Sequence, residues 1–320
     1  GYTLDEVAFY GYNALNETRD SSNLLVFDRE SVRQRFSVFD VETSVSNGEQ
    51  TIGDLSYEAK IGAYFMQDYF ASRENGLKLD LNAKKWFNET DPLAVSLVVD
   101  LSNFRDTATQ KLNNFYLRPS YTLHKEGFRV KVGANIASSN DLFFFYPDIE
   151  VSAGIAGSLL HVFAGAEGNL EKNNFRNLTD YNPFLISDPI LRNTDYYHFF
   201  GGVKGTLEGI NYLARVGYKK AKDLALFQAT PDSIPKFEVL YDKVNIISLH
   251  ASLSGEVANN LSLTGTLDQH IYSPENQEKA WLLPAFTLQI GARYLMLDEK
   301  LAIKASLFTE NGIPYLNSEG

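Results

Sequence analysis

Charged side chains recur at alternate positions through most of this 320-residue chain, opposite apolar ones, and any chemistry would have to start from them. Arg118, Arg129, Lys131, Glu150, Glu167, Lys204, Arg215, Asp268 and Arg293 share the polar parity of their segments, as do Glu42, Glu58, Lys60, Asp80 and Asp100. A face of mixed sign can be a ladder of opposite charges that satisfy one another and water, or a surface that selects a charged solute. Five histidines, His124, His161, His198, His250 and His270, raise other options. His250 and His270 fall on neighbouring segments at similar depth, but zinc wants three or four ligands with supporting hydrogen bonds. His250, Ser252 and Asp268 have the residue types of a hydrolytic triad. Serine and aspartate are too common on a polar face for that to count, and no nucleophile elbow, paired metal box or Gly-rich phosphate loop occurs. The residues therefore read as non-enzymatic, with no catalytic group, cofactor or metal.

The elements that position these charges are strands. Phe115, Leu117, Pro119, Tyr121 and Leu123 alternate with Tyr116, Arg118, Ser120, Thr122 and His124. After a tight Lys125-Glu126-Gly127 turn, Phe128, Val130, Val132, Ala134 and Ile136 alternate with Arg129, Lys131, Gly133 and Asn135. Period two over this span means one apolar and one polar face. Soluble strands usually run about five or six residues. These arms run about ten, the length a tilted strand needs to cross a bilayer, where barrel closure satisfies every backbone N–H and C=O. The expected fold is all-β: an antiparallel transmembrane outer-membrane barrel, apolar residues to lipid and polar residues to the lumen.

Composition narrows the field further. No window approaches the roughly eighteen uninterrupted apolar residues of a membrane helix, although hydrophobic residues make up 44%. Tyrosine and phenylalanine, at 18 and 22, suit strands with interfacial girdles. Cysteine is absent, which excludes disulfides, thiolate metal sites and cysteine catalysis together. A net charge of −11 leaves no basic stripe for nucleic acid.

Along the chain the same pattern returns in hairpins, giving about fourteen strands in one domain over residues 1–320. Residues 1–31 read as a surface loop, 32–310 as strand hairpins and 311–320 as a loop at a truncated end. Phe36 and Val38 break the parity of Phe39, Val41 and Val45, so a bulge is expected near Val38. Tight turns are expected at Asn88-Glu89-Thr90-Asp91, Gly157-Ser158, Glu208-Gly209, Ala258-Asn259-Asn260 and Asp298-Glu299-Lys300. They alternate with polar loops over 140–148, 171–195 and 223–243, the short-periplasmic and long-extracellular asymmetry of outer-membrane barrels. Tyr181, Phe184, Phe227 and Phe237 stand in these loops as candidate contacts for a ligand or partner.

Three phrases carry a family resemblance: Phe144-Phe145-Tyr146-Pro147-Asp148-Ile149-Glu150-Val151, Asn177-Leu178-Thr179-Asp180-Tyr181-Asn182-Pro183-Phe184 and Asn311-Gly312-Ile313-Pro314-Tyr315-Leu316. With the strand order, the chain resembles barrels of TonB-dependent-receptor type from Bacteroidota outer membranes. The resemblance implies a Gram-negative outer-membrane protein with long loops outside, and a larger barrel with strands before Gly1 and after Gly320. The plug and energy-coupling box of such transporters are not recognisable in the sequence, and relatives that keep only the barrel exist as a class. The implied function is a receptor or transporter for an extracellular solute. A structural or assembly-partner barrel with a closed lumen is the alternative, and a lipid-modifying barrel enzyme a second one. Implied partners are outer-membrane lipid and lipopolysaccharide, an extracellular solute or a partner membrane protein.

Overall fold

A computed structural model describes residues 2–8, 33–47, 55–87, 90–230, 236–297 and 300–315. Fifteen strands follow one another in a single antiparallel sheet whose spatial order is the sequence order. They are β1 (Tyr2–Ala8), β2 (Arg33–Ser46), β3 (Leu55–Gln67), β4 (Arg73–Phe87), β5 (Asp91–Arg105), β6 (Thr109–Lys125), β7 (Phe128–Ser139) and β8 (Leu142–Ala156). Then come β9 (Leu160–Asn173), a short helix α1 (Phe175–Tyr181), β10 (Arg192–Leu207), β11 (Ile210–Ala229), β12 (Phe237–Ala258), β13 (Leu261–Pro274), β14 (Phe286–Met296) and β15 (Leu301–Asn311). Among the described residues β1 and β15 do not pair, so the sheet is open along both edges. No described helix is long and apolar enough to cross a membrane.

The alternation places the faces as the sequence predicts. Leu97, Phe115, Leu117, Val132, Leu249 and Ile290 are exposed on the convex side. Apolar surface on this scale, continuous over many strands, is what lipid covers and water does not. The tight turns gather at one rim: β6–β7 at 126–127, β8–β9 at 157–159, β10–β11 at 208–209 and β12–β13 at 259–260. Glu208 and Gly209 both take positive φ, 50° and 84°, the type I′ geometry that matches strand twist. The longer connections, 174–191, 230–236 and 275–285, lie at the opposite rim, called here the loop rim.

Four expectations change. The fourteen expected strands correspond to β2–β15, and a fifteenth, β1, lies inside the stretch read as a loop; residues 9–32 fall outside the described residues. Segment 140–148 is no loop: Asn140 and Asp141, with φ of 46° and 70°, form a two-residue turn, and β8 starts at Leu142. Strands also extend well into 171–195 and 223–243. There is no bulge at Val38, where the β2–β3 register runs unbroken from Ser37 to Ser46. Phe36 and Val38 simply face inward, buried in an apolar cluster described below. The turns expected at Asn88-Glu89 and Asp298-Glu299 fall largely outside the described residues, as does 316–320.

Candidate functional site

At the loop rim the concave face is filled from within. Beyond Ala166, β9 keeps its register with β10 and its outward parity passes through Gly168, Leu170 and Lys172. These positions meet protein. Leu170 is buried against Val98, Tyr116, Ala137 and Tyr146, all on inward positions of β5–β8. The Tyr116 hydroxyl donates to the Leu170 carbonyl at 2.8 Å, and the buried Lys172 ammonium donates to the Asp100 carboxylate at 2.6 Å. On β10, Asn193 exchanges amide hydrogen bonds with Asn114 at 2.9 and 3.0 Å, and Asp195 accepts from the Tyr146 hydroxyl at 2.8 Å. The top of the β9–β10 pair therefore folds inward across the short β7–β8 hairpin. Gly168 makes the crossing possible, since a Cβ there would stand 2.6 Å from the Tyr146 ring.

The connection between β9 and β10 carries α1, whose sequence explains its start. Asn174 caps it by accepting the Asn177 N–H at 3.0 Å. From the facing wall Glu74 reaches the same terminus and accepts the N–H groups of Phe175 at 2.7 Å and Arg176 at 3.1 Å. It also accepts the Tyr64 hydroxyl at 2.7 Å, so this fully buried carboxylate is satisfied from three sides. Arg176 pairs with Asp40 at 2.6 Å. The apolar side of α1, Phe175 and Leu178, packs on Phe36, Phe104 and Leu112 of the wall, with Phe104 and Phe175 centroids 4.7 Å apart. The return to β10 is tied down too. Ser72 donates to the Ser187 carbonyl at 3.0 Å, and Gln110 bridges the Pro189 carbonyl and the Leu191 N–H. Leu185 and Leu191 are buried.

Beside α1 lies a cavity of about 390 Å³ lined by Glu171, Asn177, Asp180, Tyr181, Thr194 and Phe227. Tyr181 stacks on Phe227 with centroids 4.9 Å apart, and its hydroxyl donates to the Leu282 carbonyl at 2.6 Å. Burial pushes that hydroxyl up to about 12, so it stays a donor. Carboxylates, amides and an aromatic edge around one opening can hold a polar solute.

The inward charges expected to form a selective surface are placed as follows. Arg118 spans Asn135 and Asn169 at 3.2 and 3.1 Å and covers the Tyr116 ring. Arg129 pairs with Glu150, with Lys204 3.9 Å from the same carboxylate. Lys131 pairs with Asp148 at 2.6 Å, Glu167 with His198 at 2.9 Å and Asp268 with His250 at 2.7 Å. Arg215 sits over the Phe200 ring, and Arg293, on β14, is opposite Lys304 of β15. These groups are distributed over β6–β14 and converge on no single point. His270 is opposite Ser248, one register pair beyond Gln269 and Leu249, and no hydrogen bond joins His250 to Ser252 among the described residues.

Of the expected loop contacts, Tyr181 is half exposed beside the cavity and Phe184 is partly buried against the α1 cluster. Phe227 and Phe237 are not loop residues. They lie in β11 and β12, buried in that cluster, because the two strands run to 20 and 22 residues. Glu74, Asp40, Tyr64 and the Asn114–Asn193 pair were missed as site residues. The inward parity of Asp40, Tyr64, Glu74 and Asn114 was readable, since Glu74 continues Lys78 and Asp80; the in-folded hairpin that they hold, with Asn193 on outward parity, was not.

No protein-family model matches the sequence, and no curated protein sequence matches it. Solved structures do match in fold. The FrpB iron transporter of Neisseria meningitidis aligns with a TM-score of 0.59 at 8% identity, over 89% of this chain and 52% of its own. The siderophore receptor PirA of Pseudomonas aeruginosa gives 0.58 at 13%, over 86% and 56%. The alcaligin outer-membrane receptor FauA of Bordetella pertussis gives 0.54 at 11%, over 87% and 54%. At such identities the likeness speaks for the fold, and the chain spans about half the length of these proteins. Its fifteen-strand antiparallel sheet shares the fold of part of these barrels.

Proposed function

We propose that this protein is a non-enzymatic outer-membrane receptor or transporter for an extracellular solute. In this reading the loop rim faces outside and further strands close the barrel between β15 and β1. The observation that carries it is the fold likeness to an iron transporter and to siderophore and alcaligin receptors. The solute meets the cavity beside α1 first, then the inward charge ladder. Lipid and lipopolysaccharide surround the convex face. The test is accumulation of a panel of ferric siderophores by receptor-deficient cells that express the full-length protein. One member should accumulate, and Tyr181→Ala with Asp180→Asn should reduce its uptake. A correctly surfaced protein that accumulates none of the panel, and conducts no ions in a planar bilayer, overturns the proposal.

The second reading, a structural barrel with a closed lumen, is favoured by one observation. The in-folded β9–α1–β10 hairpin fills the concave face at the loop rim. Deleting residues 175–190 separates the two: a blocked lumen should begin to conduct, whereas a receptor should lose solute binding.

A further inference from the structure

Across β3–β6 the convex face changes character over three rows of the register. The first row towards the loop rim reads Ala63, Leu77, Leu101 and Asn113, the second Phe65, Asn75, Asn103 and Lys111. The third reads Gln67, Arg73, Arg105 and Thr109. No carboxylate occupies any of these positions. Arg73 and Arg105 are directly opposite one another, an arrangement that costs stability unless an anion lies between them. Arg73, Arg105 and Lys111 are exposed and form no ion pair among the described residues. The acidic residues adjacent in sequence, Glu74 and Asp106, have the opposite parity: Glu74 is buried on the concave side against α1, and Asp106 lies in the β5–β6 turn.

The rows border a cleft of about 670 Å³. Ala63, Leu77 and Leu101 line its lower part, with Asn113 at the β6 end, and Asn75, Asn103 and Lys111 line its upper part, with Phe65 at the β3 end. Within it the Asn103 Oδ1 is shielded from water and has no hydrogen-bond donor. An apolar slot that opens upward into amides, an orphan acceptor and unpaired cations fits an acyl chain rising into a phosphorylated polar head. A free anion would use the cations and leave the slot empty.

We infer that this cleft seats a phosphate-bearing glycolipid of the outer leaflet, an inference that rests on the orientation proposed above. The acyl chain runs along Leu77 and Leu101. The phosphate lies between Arg73 and Arg105 with Lys111 alongside, and a sugar hydroxyl or amide N–H donates to Asn103. Charge-assisted hydrogen bonds to phosphate from two guanidinium forks supply the specificity.

The test uses full-length protein in phosphatidylcholine nanodiscs doped with diphosphorylated lipid A, its dephosphorylated form or phosphatidylglycerol, and mass spectrometry of the lipid retained after detergent washing. Diphosphorylated lipid A should be retained preferentially. Retention should fall about a hundredfold in Arg73→Gln/Arg105→Gln/Lys111→Gln, since each cation near a lipid surface contributes about a factor of five. Lys125→Gln, at the opposite rim, should leave retention unchanged, and heat-modifiable gel mobility should show that each variant is folded. Equal retention by the triple variant, or of the dephosphorylated lipid, overturns the site itself. Charge-dependent preference for phosphatidylglycerol overturns it through the orientation, placing the cleft in the inner leaflet.

Discussion

Val132 and Lys131 are neighbours on β7 that meet different media. Val132 is exposed on the convex face, and Lys131 is inward, paired with Asp148. Val132→Arg places a charge in hydrocarbon and should cost about 2–4 kcal/mol near the bilayer midplane, whereas Lys131→Arg should be close to neutral. Equilibrium folding into phosphatidylcholine vesicles measures both, and equal costs would contradict the assignment of faces. At the loop rim, Asp68 shows what burial does to an acid. It accepts the Ser72 N–H at 2.8 Å, but desolvation outweighs that bond and pushes its pKa up to about 6. The folded state thus holds the proton more tightly than the unfolded chain. This contribution to stability is complete below about pH 4 and is lost as pH rises through about 6. Asp68→Asn should therefore raise the thermal midpoint at pH 8 and leave it nearly unchanged at pH 4. A loss of stability at pH 8 would show that the carboxylate is favourably held.

The β9–α1–β10 hairpin is the element whose behaviour departs most from its composition. Residues 171–195 are polar enough to suggest an open, cleavable loop, yet Phe175, Leu178, Leu185 and Leu191 are buried and α1 is clasped by Glu74. Protease applied to intact cells should therefore spare 175–191. Glu74→Ala leaves two helix N–H groups and the Tyr64 hydroxyl without their acceptor, each worth about 1–3 kcal/mol when buried. That variant should be cut within 175–191 while the rest of the sheet survives, which peptide mapping reads directly. Rapid cleavage of the unsubstituted protein there would show the hairpin to be extended outward.

The whole molecule is a sheet whose convex face is apolar and whose edges are unpaired in the described residues. An open edge in hydrocarbon leaves a row of N–H and C=O groups unsatisfied at several kcal/mol each, so closure of the full barrel is physically required. Single cysteines at Leu97, Val132, Leu249 and Ile290 in the full-length, membrane-inserted protein should react with a lipid-soluble maleimide and resist a water-soluble one. Cysteines at Lys131, Ser252 and Gln289 should do the reverse where the lumen is wet. Access of the water-soluble reagent to the first set would sink the membrane barrel.

The sequence by itself determined the strands that cross the apolar band, the face each residue joins and the tight turns at one rim. Those follow from period-two alternation, a local property imposed by lipid on one side. Above the band both faces meet protein or water, and alternation stops reporting. Lys172, Asn193 and Asp195 keep the outward parity yet are polar, so their strands read as loop. Phe36 and Val38 are apolar yet inward, which mimicked a bulge. Only the tertiary structure decided that these tops fold into the barrel. The contacts responsible join residues far apart in the chain, Lys172 to Asp100 across 72 positions and Arg176 to Asp40 across 136, and a local pattern carries no information about such partners.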